Sequence, residues 1–156
     1  MLNPFKKKSE SVYSPVAGRV VSLDEVPDPV FAGRSVGDGF AVEPADGSFR
    51  SPVDGELVLV ARTLHAFAVR THEGAEILVH IGIDTVTLKG EGFTGHREVG
   101  ETVSRGDVII SCDLEDIQMK VPSTVTPVLL TNGAKFSMSQ PDFQANGAPV
   151  LTVRRK

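Results

Sequence analysis

At 156 residues, 40% hydrophobic and 23% charged, the chain is long enough for one packed domain and too apolar to be disordered. A net charge of −4 argues against a nucleic-acid partner, which needs a concentrated basic face. A single cysteine excludes an internal disulfide framework and fits a reducing, cytoplasmic compartment, while no apolar run approaches the roughly 18 residues of a membrane span.

Residues 1–11 read as a flexible polar leader, with Lys6, Lys7 and Lys8 behind Leu2 and Phe5. They lack the apolar core of a secretory signal. Attraction of such a tail to anionic lipid is weak, about 1 kcal/mol per basic residue. Residues 12–156 then form a single domain. Within it, Ser14-Pro-Val-Ala-Gly-Arg-Val-Val21 recurs as Ser51-Pro-Val-Asp-Gly-Glu-Leu-Val58, at a period of 37 residues. Each copy sets Pro at a strand start and Gly at a bend before an apolar run, so an internal duplication of β units is expected. Gly37-Asp38 and Gly106-Asp107 similarly precede apolar stretches. Further strands are predicted over residues 56–61, 65–70, 75–82, 108–113, 125–131 and 150–153. Only residues 114–120 have room for a helical turn or two, capped by Asp113. The expected fold is all-β, an antiparallel sandwich or flattened barrel with internal duplication.

Two of the four histidines converge in this scheme. Leu78 and His80 share one face of their strand, and His65, Phe67 and Val69 share one face of theirs. If Glu73-Gly74 is a two-residue turn, Phe67 lies opposite His80 and His65 lies diagonal to it. A four-residue loop keeps that parity and a three-residue loop reverses it. Buried imidazoles need partners, because each unsatisfied polar group costs about 1–3 kcal/mol. His72 and His96 sit among turn residues and read as solvated surface.

Three chemistries suit the pair. A phosphohistidine carrier needs one ring as nucleophile and the other as donor to the phosphoryl oxygens. Zinc binding could use His65 and His80 with Asp84 four residues on, although the His-x-His pair of zinc peptidases is missing. Met119-Lys120 weakly suggests a lysine-borne cofactor, but its context reads as surface. No glycine-rich phosphate loop and no serine triad are present. Cys112, in Val-Ile-Ile-Ser-Cys, reads as a small buried residue.

Val79-His80-Ile-Gly-Ile-Asp-Thr-Val-Thr-Leu-Lys-Gly-Glu-Gly-Phe93 closely resembles the active-site signature of glucose-type IIA proteins of the bacterial phosphoenolpyruvate-dependent sugar phosphotransferase system. Val26-Pro-Asp-Pro-Val-Phe31, Val36-Gly-Asp-Gly39, Ser51-Pro-Val-Asp-Gly55, His65-Ala-Phe67 and Thr126-Pro-Val128 match in order, and the resemblance spans residues 13–155. It implies a duplicated hybrid motif and a phosphotransferase component that acts only with partner proteins. His80 would accept the phosphoryl group on Nε2 from the phosphocarrier HPr and pass it to a cysteine of a IIB domain, for sugar uptake through a IIBC permease. His65 would hydrogen-bond the phosphoryl group and Thr63 would orient His65. Asp28 and Asp84 would meet a basic residue of the partner, and Phe31, Val36, Phe67, Leu78 and Val86 would form an apolar rim. No cofactor is required on this reading; zinc at His65 and His80, completed by a partner carboxylate, is a secondary one. The leader lacks the longer amphipathic segment of enteric relatives, so no direct membrane binding is expected. Pro29, Ser35 and Leu78 depart from the family's usual apolar residues. The alternatives are a regulatory module that docks permeases or kinases through the same face and, further off, a zinc hydrolase.

Overall fold

The computed structural model describes residues 8–156. In chain order the strands are β1 (Ser9–Val12), β2 (Gly18–Val21), β3 (Asp38–Pro44), β4 (Ser48–Arg50), β5 (Gly55–Val60), β6 (Ala66–Arg70) and β7 (Glu76–His80). They continue as β8 (Phe93–Gly95), β9 (Thr102–Val103), β10 (Val108–Cys112), β11 (Thr126–Leu130), β12 (Phe136–Met138) and β13 (Leu151–Arg155). Two short α-helices, α1 (Pro29–Ala32) and α2 (Leu114–Gln118), complete the described residues together with three 3₁₀ turns.

A seven-stranded sheet in the order β2-β3-β11-β7-β6-β5-β9 is backed by two three-stranded sheets, β1-β13-β12 and β4-β10-β8. Among the described residues every pairing is antiparallel, and the large sheet ends at β2 and β9 rather than closing. The architecture is the expected sandwich, not a barrel. All six predicted strands are present within a few residues. The one expected helix is α2, and the Asp113 carboxylate caps it by accepting from the Asp116 N–H at 3.2 Å.

The repeat is visible as reciprocal hydrogen bonds. Tyr13 N–H donates to the Pro52 carbonyl at 3.0 Å, and its counterpart Arg50 N–H donates to the Pro15 carbonyl at 2.7 Å. Within each copy the serine hydroxyl donates two residues forward, Ser14 to Val16 O and Ser51 to Val53 O. The two copies therefore brace each other about a local two-fold. Residues 9–11, assigned to the leader on sequence, are part of β1. Ser9, Glu10 and Ser11 pair with Arg154, Val153 and Thr152, because the far end of the chain offers them a strand. Residues 1–7 of that leader lie outside the described residues.

Strand alternation divides the apolar residues between two cores. Phe40, Val42, Ile77, Val79, Val128 and Leu130 point into the main core between the sheets. Their neighbours Ala41, Leu78 and Leu129 point the other way, into a smaller cluster with Leu23, Val26 and Phe31. His80 ends β7 in phase with Leu78, which places it at the border of that smaller cluster.

Candidate active site

The β6–β7 hairpin delivers the two histidines, and its loop has three residues. Thr71 N–H donates to the Ala75 carbonyl at 2.8 Å and Gly74 N–H to the Thr71 carbonyl at 3.0 Å, leaving His72, Glu73 and Gly74 to turn the chain. Gly74 takes φ +94°, a conformation open to glycine. The register is therefore Ala66 opposite His80 and Phe67 opposite Val79, which reverses the parity expected from a two-residue turn. Phe67 consequently faces the main core and is 0% exposed, so it is not part of a rim that a partner could touch.

His65 meets His80 all the same, because it does not follow the strand alternation. It precedes β6, and its neighbour Leu64 bends the chain with φ +59°. The Ile81 N–H donates to the His65 carbonyl at 2.7 Å, which fixes that bend against the end of β7. The two imidazoles stand 5.1 Å apart between centroids, at 74°.

Each ring has a definite partner. His80 Nδ1 lies 2.8 Å from the Gly82 carbonyl. A carbonyl can only accept, so Nδ1 carries the proton and Nε2 keeps a lone pair. Thr63 Oγ1 lies 2.6 Å from His65 Nδ1. With the hydroxyl donating, His65 holds its own proton on Nε2, as an outward donor. Burial, opposed by the Gly82 bond and by Asp28 and Asp84, lowers the His80 pKa below the ordinary value of 6.5. Burial and the neighbouring His80 lower that of His65 too. Both shifts favour the neutral form of each ring at pH 7, and a neutral imidazole can act as a nucleophile.

The surroundings come from two short elements. Asp28 caps α1 by accepting from the Val30 N–H at 2.9 Å, with Pro29 in the first turn. That helix lays Phe31 against His80, ring centroids 4.8 Å apart. Asp84, at φ +60°, opens the 3₁₀ turn Thr85–Leu88 without a side-chain cap bond. Val36 and Leu78 are half-buried around the cluster, whereas Val86 is 51% exposed. Val30, 48% exposed, precedes Phe31 on α1 and was missed in the sequence, where a valine beside Pro29 gives no cue of its own. The Gly82 carbonyl was missed as well, since a backbone acceptor leaves no mark on composition.

The other candidates separate cleanly. His72 and His96 are exposed as expected, His96 Nε2 lying 2.8 Å from Ser111 Oγ. Lys120 is an exposed cation beside Asp116 at 3.0 Å and Glu91 at 3.9 Å. Cys112 is half-buried, and burial followed by Asp113 pushes its thiol up to about 11, so it is no thiolate. Among the described residues, no three or more of His, Cys, Asp and Glu form a metal-holding group. The imidazole pair is thus two ligands short of the usual four-coordinate zinc site. No helix among the described residues is long and apolar enough to cross a membrane.

Residues 10–136 match the family model for the phosphoenolpyruvate-dependent sugar phosphotransferase system, EIIA 1. The chain is 48% identical over 127 residues to the glucose-specific EIIA component of the phosphotransferase system of Bacillus cereus, covering 81% of this chain and 77% of that one. It is 49% identical over 125 residues to the corresponding protein of Halalkalibacterium halodurans, covering 80% and 72%. A glucose-specific EIICBA component of Streptococcus pneumoniae is 49% identical over 129 residues, which span 83% of this chain and 18% of that longer one. The solved structure of glucose permease IIA from Mycoplasma capricolum superposes with a TM-score of 0.88 at 38% identity, covering 97% of this chain and 99% of that one.

Proposed function

The chain belongs to the EIIA 1 family of the phosphoenolpyruvate-dependent sugar phosphotransferase system, as a glucose-type EIIA component, and we propose that His80 is the residue on which it carries the phosphoryl group. The observation that carries this reading is the 2.8 Å bond from His80 Nδ1–H to the Gly82 carbonyl, which reserves the Nε2 lone pair for attack.

The lone pair of His80 Nε2 attacks the phosphorus of phospho-HPr. A new N–P bond forms as the N–P bond of HPr breaks, and the HPr ring keeps its electron pair. The phosphorylated His80 ring retains its Nδ1 proton and becomes cationic. The Gly82 carbonyl and the carboxylates of Asp28 and Asp84 favour that charge. His65 Nε2–H, oriented by Thr63, donates to the phosphoryl oxygens, a charge-assisted bond of about 1.5–3 kcal/mol. Transfer onward reverses the logic: a cysteine thiolate of a IIB domain attacks phosphorus, an S–P bond forms, and neutral His80 departs with its electrons. The accepting cysteine belongs to the partner, since Cys112 is protonated. The joined C, B and A designation of the pneumococcal relative supports a IIB partner. Val30, Phe31, Val36, Leu78 and Val86 form the docking face, with Asp28 and Asp84 at its margin for a basic residue of either partner. An apolar face also keeps water from the N–P bond.

The test is to incubate the protein with phosphoenolpyruvate, enzyme I and HPr and to read its intact mass. One acid-labile phosphoryl group, absent from His80→Ala, is expected. No gain with active HPr would contradict the carrier and leave the regulatory reading, in which the same face docks permeases or kinases without transfer.

A further inference from the structure

We propose that the buried hydroxyl of Thr85 is a positioning group for His80, holding the turn that presents the Gly82 carbonyl to His80 Nδ1. The inference rests on the reading of His80 as the phosphoryl acceptor. Thr85 is 0% exposed, and its Oγ1 donates to the Ile81 carbonyl at 2.6 Å, closing the turn from residue 81 to residue 85. Ile81 is thereby held at both ends, because its N–H donates to the His65 carbonyl at 2.7 Å. The next carbonyl along the chain is that of Gly82, the acceptor for His80 Nδ1–H at 2.8 Å.

The turn needs such a constraint. Gly82 takes φ +71° and Asp84 takes φ +60°, the latter a left-handed conformation that a side-chain-bearing residue keeps only where its surroundings over-determine it. Ile83 N–H supplies one fixed point, at 2.9 Å from the Ser123 carbonyl. Thr85 supplies another by hydrogen bond and fills the remaining space with its methyl: a Cβ at position 82 would stand 2.8 Å from Thr85 Cγ2. Threonine is suited to both tasks, whereas valine matches the shape and lacks the donor. If the turn relaxes, Nδ1 loses its acceptor. The neutral ring then places its proton on Nε2 in part of the population, and that part is not nucleophilic at Nε2.

Nitrogen-15 spectra of the unphosphorylated protein at about pH 8 read the His80 tautomer with no partner present. Wild type should show the Nδ1–H form. Thr85→Val should populate Nε2–H and slow phosphoryl acceptance from HPr about tenfold, less than the roughly 10²-fold cost of a 1 Å misplacement. Thr85→Ser, which keeps the hydroxyl, should restore both. A folded Thr85→Val with wild-type tautomer and rate would overturn the proposal. So would failure of both Thr85→Val and Thr85→Ala to fold, which would make the residue one of folding alone. Should wild type accept no phosphate on His80, the carrier reading falls, while the tautomer comparison still decides the role of Thr85.

Discussion

The rings of His65 and His80 stand edge to face with centroids 5.1 Å apart, although their strands do not share the register that alternation alone would assign. The left-handed bend at Leu64 and the bond from Ile81 N–H to the His65 carbonyl bring them together. Under the proposed function, the two rings, one with a free Nε2 lone pair and one with an outward N–H, would serve as acceptor and donor for a phosphoryl group.

The pair also makes folding sensitive to acid. Both histidines have pKa values lowered by burial in the folded state, with their neighbour's charge adding to the effect at His65. Unfolded, they titrate near the ordinary value of about 6.5. In the window below that value the unfolded chain binds more protons, so stability rises with pH there and declines as pH falls through about 6.5 toward the lowered folded values. Denaturant midpoints of wild type and of His65→Gln/His80→Gln, measured between about pH 8 and pH 5, should diverge. The double variant should show the flatter dependence; equal slopes would contradict the shared lowering.

Thr63 bonds the His65 ring. Thr63→Val should still permit acceptance from HPr, because the His80 nucleophile is intact, and slow onward transfer to the IIB cysteine more strongly. His65→Gln should behave alike, and Thr63→Ser should recover transfer. Rate measurements of the two half-reactions separate these outcomes. Normal onward transfer in Thr63→Val and His65→Gln would count against the role of His65.

Phe31 shields His80 at 4.8 Å and is 8% exposed. Phe31→Ala should cost about 3 kcal/mol of stability. It should also admit water to His80 and raise its pKa toward the ordinary value, since burial is the main cause of the lowering. An NMR titration of the ring checks the direction; an unchanged or lower pKa would contradict it.

Phe67 lies on the opposite face and is 0% exposed. Phe67→Ala should destabilise by about 3–5 kcal/mol. At temperatures where it remains folded, its affinity for HPr should match wild type, whereas Val86→Ala should weaken binding with little change in stability. Calorimetry of both variants tests the observed register against the expected one, which would have put Phe67 on the docking face.

Much of this was legible in the chain because it is local. The duplicated Ser-Pro-Val-x-Gly units, the Asp113 cap and the shared face of Leu78 and His80 depend on nearest neighbours. The hairpin register was not, because a loop of two or three residues differs only in whether Thr71 and Ala75 bond across it, a choice set by the backbone at Gly74. Strand β1 escaped notice because its partner β13 lies at the other end of the chain. The Gly82 carbonyl and the Thr85 hydroxyl escaped because their work is geometric: one is a backbone atom, the other an ordinary threonine until its 2.6 Å bond to Ile81 is seen.

The most direct measurement is phosphorus–nitrogen correlation NMR on the protein phosphorylated through HPr, which identifies the nitrogen bearing the phosphoryl group. Coupling of phosphorus to Nε2 of His80, with Nδ1 still protonated, is the result predicted. Phosphorus on His65, on Nδ1 of His80 or on any other residue would contradict the assignment.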